Sequence, residues 1–139
     1  MSRESALAQA AAVPTTVTRG HVEHAIKTFL ASYAARDVDT RIALFADGIV
    51  FEDPVGAEPV RGRDNLRQFF RATIDSGWNI AMASEKIVKS GNEALSVTKA
   101  SWGVPGTEPA RLTLIQNFAF DDAGKITRLR IFFDETTIN

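Results

Sequence analysis

Between Arg111 and Phe120 the chain alternates without a break. Leu112, Leu114, Gln116, Phe118 and Phe120 fall on one side; Arg111, Thr113, Ile115 and Asn117 fall on the other. A period of two held over that length predicts a strand with one buried face and excludes an amphipathic helix. Neighbouring stretches read the same way. Asn79 to Lys89 is a strand closed by the turn Ser90-Gly91-Asn92, and Ala94 to Val104 is a second, turned by Pro105-Gly106-Thr107-Glu108-Pro109. Asp121-Asp122-Ala123-Gly124-Lys125 makes a hairpin into Ile126 to Asp134, with Leu129, Ile131 and Phe133 inward. The second half of the chain is therefore four consecutive antiparallel strands.

The first half is helical. Val22, Ala25, Ile26, Phe29, Leu30 and Tyr33 recur at three- and four-residue spacings and form one apolar stripe. Asp37 or Asp39 can cap a short second helix that buries Ile42 and Phe45. Gly62-Arg63-Asp64 opens a third, with Leu66, Phe69, Phe70 and Ile74 inward, and Ser76-Gly77 ends it. Three helices, a short early strand and four antiparallel strands predict an α+β domain. A strongly twisted sheet of this size curls around its helices and leaves a conical cavity.

The length of 139 residues suits one domain, expected here over residues 21–139. Residues 1–20 form a flexible extension: Met1 to Thr18 is rich in Ala, Ser and Thr and interrupted by Pro14. Its apolar piece, Ala6 to Val13, makes a poor signal peptide and is too short to span a bilayer, so the chain is read as cytoplasmic with no membrane partner. Sixteen basic against 17 acidic side chains, a net charge of -1, argue against a nucleic-acid surface. Cysteine is absent and histidine is limited to His21 and His24, which excludes thiol chemistry and leaves no histidine-rich metal cluster. No phosphate loop or flavin motif is present, so no cofactor is expected.

The polar exception lies on the early strand. In Ile49-Val50-Phe51-Glu52-Asp53 the residues Ile49, Phe51 and Asp53 share a face, and Pro54 with Gly56 and Pro59 ends the strand. A carboxylate aimed from a strand end into an apolar interior is a candidate general base, its pKa set by desolvation and by any partner. The bland alternative is a turn cap before Pro54.

Leu44-Phe45-Ala46-Asp47-Gly48, then Glu52-Asp53-Pro54-Val55-Gly56-Ala57-Glu58-Pro59 and Gly62, closely resemble bacterial ketosteroid isomerase. Phe132-Phe133-Asp134-Glu135-Thr136-Thr137-Ile138 is similar to that family's last strand. The resemblance runs from about Val22 to Ile138. It implies the cone-shaped fold shared with nuclear transport factor 2, usually a homodimer, in a superfamily that also includes dehydratases, cyclases, hydrolases and binders. It also implies that Asp53 is the base that carries a proton between two carbons of an enone. The family's oxyanion tyrosine falls at Phe29 and its protonated aspartic acid at Gln116, so both standard donors are changed. Losing one such donor costs about 10²–10³ in rate. Gln116 retains an amide N–H, and Tyr33, one helical turn after Phe29, can bring a hydroxyl to the cavity.

The expected site therefore comprises Asp53, Gln116 and Tyr33 as catalytic groups. Phe29, Phe51, Leu114, Phe118, Leu129, Ile131 and Phe133 line its wall, and Lys99 and Ser101 contact substrate if their strand turns polar on the cavity side. The expected substrate is a small apolar or aromatic molecule bearing a carbonyl or phenol, handled by a steroid Δ-isomerase-like proton transfer. The alternatives are a lyase acting by elimination or C–C cleavage on an aromatic or terpenoid compound, and a non-catalytic binding module. Trp102 and Ile115, taken as outward among polar neighbours, suggest a homodimer packed through the outer sheet face.

Overall fold

Three of the four α-helices begin at a residue whose side chain replaces a missing backbone partner. In the computed structural model, which describes all residues from Met1 to Asn139, Ser2 caps α1 (Arg3–Ala11), Thr18 caps α2 (Arg19–Ala34) and Asp37 caps α3 (Val38–Ile42). Helix α4 (Arg63–Asp75) starts from Gly62 with no side-chain cap and ends at Ser76. Gly77 follows with a φ of +83°, a left-handed turn that costs glycine little and any other residue more.

Strands β1 (Phe45–Glu52), β2 (Val60–Arg61), β3 (Asn79–Ser90), β4 (Glu93–Gly103), β5 (Ala110–Phe120) and β6 (Ile126–Phe132) form one sheet in the order β2-β1-β6-β5-β4-β3. The expected α+β architecture is present: a curved sheet wraps the N-terminal helices. The last four strands form antiparallel pairs in sequence order. One pairing was not expected. Strand β1 runs parallel to β6, with Phe51 beside Leu129 and Glu52 beside Arg130, which sets Asp53 just past the end of a strand paired on both sides.

The concave face holds the core. Helix α2 contributes Val22, Ala25, Ile26, Phe29 and Leu30, α4 contributes Leu66 and Phe70, and β5 contributes Leu112, Leu114, Phe118 and Phe120. Buried among them is a chain of hydroxyls. Ser84 Oγ lies 2.9 Å from Ser96 Oγ, which lies 2.8 Å from Thr98 Oγ1, and Thr98 donates to Gln116 Oε1 at 2.7 Å. Together these bonds satisfy three fully buried polar side chains that the apolar interior would otherwise penalise.

Two expectations about strand β4 are corrected here. Ala94, Ser96, Thr98 and Ala100 are buried and Trp102 continues their parity, so Trp102 points inward. Lys99 and Ser101 belong to the opposite, convex face. Lys99 is exposed, donates to Thr113 Oγ1 at 2.8 Å and lies 3.9 Å from Glu85. The convex face does carry exposed apolar side chains: Val88 opposite Leu95, and Phe132 opposite the half-buried Ile115.

The N-terminal residues divide in two. Every residue of α1 is exposed, whereas Val17 is buried and Thr15 and Thr16 bond to Asn92 in the β3–β4 turn. No helix is long and apolar enough to cross a membrane.

Candidate active site

Strand β1 delivers Asp53. Ile49 and Phe51 are buried on the concave face, and the same two-residue period carries Asp53 onto that face just past the strand end. Asp53 lines a cavity of about 220 Å³ with Tyr33, Phe69, Phe70, Thr73, Trp78, Ile80 and Trp102. Three larger hollows in the surface lie elsewhere and contain neither Asp53 nor Tyr33. One is a polar groove at the start of α4, one lies over the convex sheet face, and one lies between the start of α3 and the end of α4.

Apolar walls remove water from the Asp53 carboxylate and disfavour its charged form, which pushes its pKa up to about 6. Desolvation is the sole cause: no hydrogen bond and no cation offsets it. An ionised carboxylate with unused lone pairs at neutral pH is what a proton acceptor requires.

Linkage gives the first testable consequence. The folded-state pKa of about 6 lies above the ordinary value of 3.8, so the folded protein binds the extra proton between these two pH values. Below pH 3.8 both states are protonated and burial of Asp53 carries no ionic penalty. As pH rises through 6, that stability is lost. Asp53→Asn should therefore stabilise the fold by about 1–3 kcal/mol at pH 8 and by little at pH 4. Urea denaturation at the two pH values checks this, and an equal effect at both contradicts it.

Tyr33 faces the same cavity. Burial raises its pKa most, the nearby Arg41 guanidinium opposes the rise, and the Asp53 charge adds to it, so the phenol stays protonated and available as a donor. Its ring packs edge-on against Phe29 at 5.3 Å and Phe70 at 6.1 Å. Arg41 was not foreseen. The residue is 2% exposed, and its guanidinium lies 3.6 Å over the Tyr33 ring and 4.4 Å over Phe70. Its Nε donates to Ser32 Oγ at 2.8 Å, and a terminal nitrogen donates to the Ser32 carbonyl at 3.1 Å. Burial lowers the Arg41 pKa, against the opposing pull of Tyr33 and Asp37. The buried cation over its ring thus offsets part of the rise that burial imposes on the phenol.

The other expected residues lie apart from the Asp53 cavity. Gln116 is fully buried, its carbonyl oxygen is taken by Thr98, and its amide nitrogen lies 3.9 Å from Met82 Sδ. Phe29, Phe51, Leu114, Phe118, Leu129 and Ile131 are core residues at 3% exposure or less, so they fill the cone where an open wall was expected. Phe133 is partly buried and meets Trp102 edge-on at 5.4 Å. Phe69, Phe70, Thr73, Trp78, Ile80 and Trp102, all but the last on α4, β3 or the link between them, supply most of the lining. The α4 stripe marked Phe69 and Phe70 as apolar, but periodicity could not separate cavity wall from core.

A SnoaL-like domain is matched over residues 26–129. The chain belongs to the SnoaL-like family. Steroid Delta-isomerase of Nocardioides simplex is 29% identical over 112 residues, covering 81% of this chain and 89% of the isomerase. Two solved structures share the fold. A Mycobacterium tuberculosis protein in complex with estradiol-17β-hemisuccinate superposes with a TM-score of 0.75 at 20% identity, over 86% of this chain and 98% of that one. The epoxide hydrolase/cyclase-like enzyme SalBIII, of pyran ring formation in the polyether salinomycin, gives 0.78 at 19% identity, over 90% and 98%.

Proposed function

We propose that this SnoaL-like protein is an enzyme in which Asp53 moves a proton on a small, mostly apolar carbonyl or phenolic substrate, in a steroid Δ-isomerase-like reaction. The observation that carries the reading is the Asp53 carboxylate, unpaired in an apolar cavity, with its pKa raised by desolvation alone. In the reaction Asp53 takes a hydrogen from the carbon beside the carbonyl, the electron pair moves to the oxygen, and the proton returns one double bond further along. Tyr33 donates a hydrogen bond to the oxygen while it carries charge.

Cavity size bears on the substrate. About 220 Å³ lies below the roughly 300–1,000 Å³ typical of sites for drug-sized ligands. A single-ring ketone fits that space better than a four-ring steroid. The test is a series of β,γ-unsaturated ketones, from a cyclohexenone to a ketosteroid, followed by absorbance of the conjugated product. The expected result is isomerisation that favours the smaller ketones, with kcat/KM level above pH 7 and falling tenfold per unit below about pH 6. A rate independent of pH across that range overturns the assignment.

Two alternatives have observations in their favour. The filled interior of the cone favours a non-catalytic binding or assembly module, and assembly above all. The replacement of both standard donors, by Phe29 and Gln116, favours an elimination or C–C cleavage that relies less on oxyanion stabilisation. Product analysis of the same incubations, with a β-hydroxy ketone added to supply a leaving group, separates them: no conversion supports the binder, and fragments or loss of water support the lyase.

A further inference from the structure

Trp102 Nε1 is the one side-chain nitrogen or oxygen that is buried without a hydrogen-bond partner. A desolvated donor left unpaired costs stability, and its presence in a folded protein calls for a reason. Its location supplies one. Trp102 shares the wall of the Asp53 cavity, where the remaining polar groups are few. The Thr73 hydroxyl donates to the Phe69 carbonyl at 3.2 Å, and Trp78 is 42% exposed. Trp78 can give its N–H to water, so the indole of Trp102 is the donor in this wall that is both buried and without a partner. The indole is held by its cross-strand neighbour Ile80 and by the edge-on contact with Phe133 at 5.4 Å and 90°.

We infer that Trp102 is the site's second hydrogen-bond donor, its indole N–H kept for the oxygen of a small ketone. This rests on the reading of Asp53 as base. When Asp53 removes the α-hydrogen, the breaking C–H bond sends its electron pair to the carbonyl oxygen, and Trp102 and Tyr33 share that charge. Indole N–H is a donor only and gives up no proton in this range, so the proton count is complete with Asp53 alone. The N–H is shielded from water, whereas Phe69 and Trp78 in the same wall are 38% and 42% exposed. A donor in so dry a setting is stronger than the same donor in water.

Trp102→Phe keeps an aromatic ring and removes the N–H. It is expected to lower kcat/KM by about 10²-fold while leaving the break in the pH profile near 6, since that break belongs to Asp53. Trp102→His, which restores a ring N–H, should recover part of the loss. Folding of each variant is checked by its denaturation midpoint. A second readout is the carbonyl stretch of a bound conjugated cyclohexenone, measured by difference infrared spectroscopy on the parent, Trp102→Phe, Tyr33→Phe and Asp53→Asn. The stretch should fall to lower frequency in the parent and in Asp53→Asn, and rise back partway in Trp102→Phe. An unchanged shift in Trp102→Phe, or no shift in the parent, overturns the donor assignment. If Asp53→Asn leaves turnover intact while Trp102→Phe still alters the stretch, the base reading fails and the donor assignment stands.

Discussion

Asp53→Asn is expected to reduce turnover by about 10²–10⁴-fold, the range that a positioned general base contributes. On the transition-state scale that is about 3–5 kcal/mol. The variant retains the shape of the side chain and loses its basic oxygen, so binding should persist. Affinity for a neutral ketone should even rise, because substrate no longer displaces water from a charged carboxylate. The same substitution is expected to stabilise the fold at pH 8, an opposition of stability and activity that marks a group selected for chemistry. A decrease of less than tenfold, on a substrate that the parent turns over, would contradict the assignment.

The second large effect falls on Phe70. Its ring lies 5.4 Å from Phe51, 5.8 Å from Phe69, 6.1 Å from Tyr33 and 6.4 Å from Phe45, and the Arg41 guanidinium lies 4.4 Å above it. It is 1% exposed and lines the Asp53 cavity, so it joins α4, the sheet and the site in one packing unit. Phe70→Ala should cost about 3–5 kcal/mol, through lost burial and the cavity left behind. Uncovering one face of the buried Arg41 adds to that cost. Against a typical total of 5–15 kcal/mol this is a severe loss. Phe70→Leu should cost about 1.5 kcal/mol or less, because it refills most of the volume. Urea denaturation measures both, and a loss below about 1 kcal/mol for Phe70→Ala would show that the cluster collapses freely into the gap.

The sequence and the structure agree where a single periodic pattern decides the outcome. The alternation of Leu112, Leu114, Gln116 and Phe118 is buried as read, because each apolar side chain has only one dry face to occupy. The stripe of α2 is buried for the same reason. Disagreement begins where two patterns compete. In β4 the parity of Lys99 and Ser101 read as the cavity side and Trp102 as outward; Leu95, which shares the Lys99 parity, is exposed, and the small hydroxyls Ser96 and Thr98 are the residues buried. Composition alone could not anticipate this, since these hydroxyls are satisfied by one another and by Gln116. That choice of face turned Trp102 inward and Lys99 outward. Arg41 was invisible for a related reason. Beside Ile42 in a short helix it reads as a solvated cation, and only the fold brings Tyr33, Phe70 and Ser32 around it. The parallel pairing of β1 with β6 likewise joins segments far apart in the chain, which no local pattern encodes. Asp53 itself was legible because a charge interrupts an apolar face immediately before a proline.

The central claim is that Asp53 removes a hydrogen from carbon, and isotope exchange tests it without reference to any finished product. A small ketone held in D₂O at pH 7 with the parent protein, and separately with Asp53→Asn, can be followed by the disappearance of its α-hydrogen signals in proton NMR. The account predicts rapid exchange with the parent, exchange close to the buffer rate with Asp53→Asn, and a parent rate that falls as pH drops below about 6. Equal exchange rates for the two proteins would contradict it.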